Sequence, residues 1–188
     1  LGAAAGDYRQ AAEWIRSARR VLVKVGGGGR GAGAQLLTLL ERSGGVLAHT
    51  PLASGCIPYS HPRNLGVGGS KGSLPGNYAM ENADLLIAVG TRAVCQSDCS
   101  RTGYPQVERV INLNADPGDA LHYNRSLALV GDIPASLEHL NQVLGGPAAA
   151  KGGWLTDCAA KKAAWQDFKA ERAKTPVLFD PYWQAEVL

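Results

Sequence analysis

The chain has 188 residues, of which 45% are hydrophobic and 19% charged, and its net charge is +3. That length suits one domain of ordinary size plus an appendage, with enough apolar residues to bury a real core. The basic residues are few and scattered, which argues against nucleic acid as a partner. No apolar run approaches the ~20 residues that a membrane-spanning helix needs.

The start, Leu1 to Gly6, has neither the pattern of a signal peptide nor an initiator Met. Both features predict a piece of a longer, cytoplasmic protein. An Ala-rich helix is expected next, N-capped by Asp7, with Ala11, Ala12, Ile15 and Ala18 on one face and Arg19-Arg20 closing it. Val21 to Val25 reads as a short buried strand, followed by the glycine run Gly26 to Gly29. A second helix presents Leu36, Leu37, Leu39 and Leu40 and stops at Gly44-Gly45, and Val46-Leu47-Ala48 forms a second strand.

Residues 50 to 76 are rich in Gly, Pro and Ser and read as one long loop. A short helix around Tyr78 to Ala83 leads into Asp84 to Gly90, the clearest strand in the chain. Arg109 to Asn114 and Leu127 to Val130 are the next strands. Pro134 then opens a helix that buries Leu137, Leu140 and Leu144 before Gly145-Gly146-Pro147 breaks it. Residues 148 to 153 read as a linker, and residues 154 to 173 as a charged helix carrying Trp154, Trp165 and Phe168. The aromatic tail from Pro176 is expected to dock on a neighbouring domain.

Strand and helix alternate, and the strand runs are continuously apolar, as in strands covered on both faces. The expected fold is therefore α/β: a doubly wound, mostly parallel sheet of about five or six strands with helices on both faces, the topology of NAD- and FAD-binding domains. The domain spans residues 7–147, and residues 148–188 form a linker helix and connector.

In such a sheet, ligands bind beyond the carboxyl ends of the strands. Four clusters lie there: the glycine run with Gly27, Gly28 and Gly29; Gly90-Thr91-Arg92; Asn112 to Pro117 with Asn114 and Asp116; and Gly131-Asp132. Glycines let backbone N–H groups approach a phosphate, and an arginine can grip one with two bonds. Equally, the glycine run can be a tight packing turn, and Asp116 and Asp132 can be helix N-caps. No acidic residue stands at the end of the second strand, where a ribose would bind; His49 and Thr50 stand there instead. His49, His61, His122 and His139 form no metal-ligand spacing, and no GxSxG elbow is present. Among the cysteines, Cys56, Cys95, Cys99 and Cys158, Cys95 and Cys99 form a CxxxC pair in a polar loop, which could hold a metal or a disulfide; the spacing fits no zinc site, so these read as reduced thiols.

The order of motifs resembles the central domain of thiamine-diphosphate enzymes of the acetolactate-synthase type. The resemblance rests on Val21-Leu22-Val23 with the Gly26 to Gly29 run, and on Gly55-Cys56-Ile57-Pro58 with His61-Pro62, Leu65-Gly66 and Gly68-Gly69. It continues through Ala83 to Arg92, Ile111 to Pro117 and Val130-Gly131-Asp132. The Trp-containing helix and the segment after it are similar to the link toward the cofactor-binding domain in trihydroxycyclohexanedione hydrolases.

The resemblance implies a parent of three domains that forms a homo-oligomer and acts on 2-keto acids or diketones. Thiamine diphosphate and Mg2+ would be held by the other two domains. The magnesium motif of the family is absent here; only Gly131-Asp132-Ile133 begins like it. The piece itself is therefore expected to have no catalytic residue, no metal and no activity. A flavin dinucleotide or ADP in the central domain would meet Gly27, Gly28, Gly29, Gly66, Gly68, Gly90, Thr91, Arg92, Asn114, Asp116 and Asp132. Ala93-Val94-Cys95 replaces the aromatic and acidic residues that commonly follow the arginine, which favours an empty cleft. The alternative is a stand-alone module binding FAD, ADP or NAD.

Overall fold

The computed structural model describes residues 2–99, 102–123, 125–149 and 151–174. Helix α1 spans Ala5–Ser17 and leads into β1, Val21–Val25; α2 spans Gly33–Ser43 and leads into β2, Val46–His49. β3 (Asn64–Val67) and α3 (Leu74–Asn82) follow, then β4 (Leu85–Val89), the short α4 (Cys95–Asp98), β5 (Arg109–Asn114) and the short α5 (Pro117–Ala120). β6 is Ser126–Val130, α6 is Ile133–Leu144 and α7 is Trp154–Ala173.

The six strands form one sheet in the order β3-β2-β1-β4-β5-β6, and every neighbouring pair is parallel. Strand periodicity divides the core. Val21, Val23 and Val25 face one layer with Leu36, Leu39 and Leu40 of α2 and Leu137 and Leu140 of α6. Leu22, Leu86 and Ala88 face the other, with Ala79 and Met80 of α3 and Trp154 and Cys158 of α7. The expected doubly wound α/β fold with helices on both faces is thus present.

Three local expectations are corrected. Asp7 is not an N-cap: Ala4 occupies that position, and Asp7 reaches back from the third helical residue to accept the Ala4 N–H at 3.0 Å. Residues 50 to 76 are not one loop. They contain β3 and the start of α3, where Ser73 caps the helix by accepting the Gly76 N–H. Cys95 lies on α4 rather than in a loop, with Cys99 as the left-handed residue that ends it.

Helix α7 lies against α3. The Trp154 indole N–H donates to the Val21 carbonyl at 3.2 Å, and its ring stacks on Tyr78 at 6.1 Å. Farther along, Lys162 Nζ donates to the carbonyls of Tyr59 and His61, and Lys162 and Lys169 both sit over the Tyr59 ring. The aromatic tail expected to dock on a neighbour lies outside the described residues.

Candidate functional site

Strand order reverses between β1 and β4, so the connections after these two strands diverge to opposite sides and leave a crevice at the carboxyl edge. A cavity of about 570 Å³ occupies it. Two loops form its floor. After β1 the chain makes a 3-10 turn, Gly27–Gly29, that passes in contact with Gly90 after β4. A Cβ on Gly26 would stand 2.4 Å from the Gly90 carbonyl oxygen, and one on Gly90, where φ is +56°, would stand 2.5 Å from the Gly29 nitrogen. Glycine is required there because two backbones touch.

The same contact engages three of the four N–H groups of the glycine run. Gly26 N–H donates to Val89, Gly28 N–H to Gly90, and Gly29 N–H back to Gly26 at 3.0 Å. The polar side chains nearby are similarly engaged. Asn114 Nδ2 donates to the Thr91 carbonyl at 3.0 Å, and Thr91 Oγ1 accepts the Ala93 N–H at 3.1 Å.

Of the residues read from the sequence, Gly27, Gly28, Gly68, Gly90, Thr91, Arg92 and Asn114 line the cavity together. Gly29 lies beneath it, where a Cβ would meet Val25 and Val89. Gly66, at φ +81°, turns β3 beside Ser73 and is not on the lining. Asp116 accepts the N–H groups of Gly118 and Asp119, and Asp132 that of Ala135, so both carboxylates act as N-caps of α5 and α6.

Sequence reasoning missed the group behind the cavity wall. Lys24, on the central strand, is completely buried. Its ammonium donates to the Gly68 carbonyl at 2.8 Å, the Ser97 carbonyl at 3.1 Å and the Met80 sulfur at 3.4 Å. Three donors thus meet three acceptors. Gly68 and Ser97 both line the cavity, so Lys24 ties its two walls together. Burial pulls the Lys24 pKa down to about 8, against the opposing pull of Asp98 and Cys99. Asp98 is also fully buried and accepts hydrogen bonds from the hydroxyls of Tyr104, at 2.8 Å, and Tyr123. Burial, then Asp98, pushes the Tyr104 pKa well up. The available signal was a lysine inside an otherwise apolar strand run.

Among the described residues, no group of three or more His, Cys, Asp or Glu side chains could hold a metal ion. The described residues thus offer a cleft with a buried polar network behind its wall.

A six-stranded parallel sheet in this order, with a crevice at its switch point, defines a nucleotide-fold α/β domain. Residues 8–140 match the family described as thiamine pyrophosphate enzyme, central domain, and the chain belongs to that family. The chain is similar to the 3D-(3,5/4)-trihydroxycyclohexane-1,2-dione hydrolase of Listeria monocytogenes, with 30% identity over 95% of this chain and 29% of that protein. It is also similar to the acetolactate synthase of Mycobacterium bovis, with 34% identity over 73% of this chain and 23% of that protein. A probable acetolactate synthase large subunit of Methanococcus aeolicus shares 30% identity over 71% of the chain. The chain thus spans about a quarter of the length of these relatives.

Proposed function

We propose that this chain is the central scaffold domain of a longer, cytoplasmic, homo-oligomeric thiamine-diphosphate enzyme. That enzyme would break or form a carbon–carbon bond of a 2-keto acid or diketone. Thiamine diphosphate and Mg2+ would be held by other domains of the same protein, and this domain alone has no activity. The observation that carries this reading is the match to a central-domain family in relatives more than three times longer. No helix among the described residues is long and apolar enough to cross a membrane.

The test compares the longer protein with residues 1–188 alone. The longer protein should convert pyruvate or a cyclic diketone only when thiamine diphosphate and Mg2+ are supplied, and the 188-residue chain should convert neither. Cofactor-independent turnover by either would overturn the reading.

The rival is a stand-alone module binding FAD, ADP or NAD, and the position of the cleft favours it. The hydrogen bonds weigh against it. Three of the four glycine-run donors are occupied, the Asn114 amide is held by Thr91, and the Asp116 and Asp132 carboxylates cap helix ends.

A further inference from the structure

We infer that the carboxyl-edge cleft binds a small amphipathic organic anion, a single carboxylate or phosphate on an apolar body, held by side chains and not by the glycine run. The inference rests on reading this edge as the binding site of the domain. It does not depend on where thiamine diphosphate is held.

Three observations carry it. The first is charge. Among the described residues, the ionisable side chains that line the cleft are Lys71 and Arg92, both cations and both exposed, and no carboxylate lines it. An unopposed pair of cations around a concave surface selects an anion.

The second is an unmet polar group. Thr50 stands at the end of β2 on the cleft lining and is only 8% exposed, yet its hydroxyl has no hydrogen-bond partner. That oxygen is itself covered, so a ligand reaches it only when the Thr50 side chain turns into the cleft, and the cost of leaving a buried hydroxyl unsatisfied favours that turn.

The third is apolar surface. Pro51, Leu52, Val67 and Val94 bring apolar side chains to the lining, beside the neutral polar Ser70, Gln96, Ser97 and Asn114. Leu52 is 72% and Val94 49% exposed, so apolar surface stays in water at the mouth. A cavity of about 570 Å³ is the size that encloses a small organic ligand. A diphosphate is disfavoured because the N–H groups of Gly26, Gly28 and Gly29 are already bonded. A ribose finds no carboxylate at the end of β2.

The test uses the 188-residue chain and the fluorescent anion 8-anilinonaphthalene-1-sulfonate, whose sulfonate and fused rings match this chemistry. Saturable binding at one site is expected. Arg92→Gln and Lys71→Gln should each weaken it about tenfold, and Leu52→Ser should weaken it as well. Thr50→Val should weaken it without lowering folding stability, since no internal hydrogen bond is lost. Arg172→Gln, exposed on α7, should leave it unchanged.

Displacement separates the two natural chemistries. Octanoate displacing the dye identifies a carboxylate site, and phenyl phosphate displacing it identifies a phosphate site. Displacement by neither, equal binding in Arg92→Gln and Lys71→Gln, or displacement by micromolar FAD would each overturn the inference. None of these results would bear on whether the longer protein needs thiamine diphosphate, so the two readings fail separately.

Discussion

Lys24 carries a charge inside a parallel sheet, where isolated charges are costly. Its pKa near 8 lies below the ordinary value of 10.5. Between those two values the unfolded chain binds more protons than the folded one, so Lys24 makes stability rise with pH across that window. The whole effect is on the order of 3 kcal/mol. In chemical denaturation, wild type should therefore gain on Lys24→Met as pH goes from 8 to 10.5, and a difference that stays flat would contradict the account. Asp98→Ala removes the nearest buried counter-charge and leaves two tyrosine hydroxyls without their acceptor, and should cost about 3–5 kcal/mol at pH 7. The glycines separate in the same way. Gly26→Ala meets the Gly90 backbone and should destabilise by about 1–3 kcal/mol, whereas Gly31→Ala meets nothing within 4 Å and should change stability by less than about 0.5 kcal/mol. The sequence shows all these glycines alike. Only the crossing of the two loops tells which of them must be bare.

At the scale of elements, the strands with continuous apolar runs were legible because both faces are covered: β1, β2 and β4 are buried at every position. β3 was not legible. It is a four-residue edge strand, Asn64-Leu65-Gly66-Val67, with a left-handed glycine inside it and an irregular register to β2. Neither periodicity nor strand propensity marks such a segment. The caps were half legible. Asp116-Pro117 and Asp132 with Pro134 showed the signature of a helix start, and the carboxylates cap as that signature implies. The same residues had also looked like nucleotide ligands, and only the hydrogen bonds separate the two roles. Helix α7 was legible as a helix, but its packing against α3 through Trp154 was not. Trp154→Ala should lose about 3–5 kcal/mol and loosen α7, read as faster amide exchange over residues 154–169 with β5 unchanged.

Across the whole molecule, chemistry-bearing groups gather at one edge of the sheet, as the doubly wound topology dictates. The fold class was legible from alternation alone. The part of the cleft that came from sequence was the part on the β1 and β4 turns, where glycine and arginine follow apolar runs. The part supplied by Thr50, Lys71, Val94 and Ser97 comes from segments without pattern that folding brings alongside. The central claim is that this domain supports thiamine-diphosphate chemistry without holding the cofactor. Calorimetric titration of the 188-residue chain with thiamine diphosphate in the presence of Mg2+, followed by FAD, tests it most directly. The account predicts no binding heat from either, whereas micromolar binding of thiamine diphosphate that requires Mg2+ would contradict it.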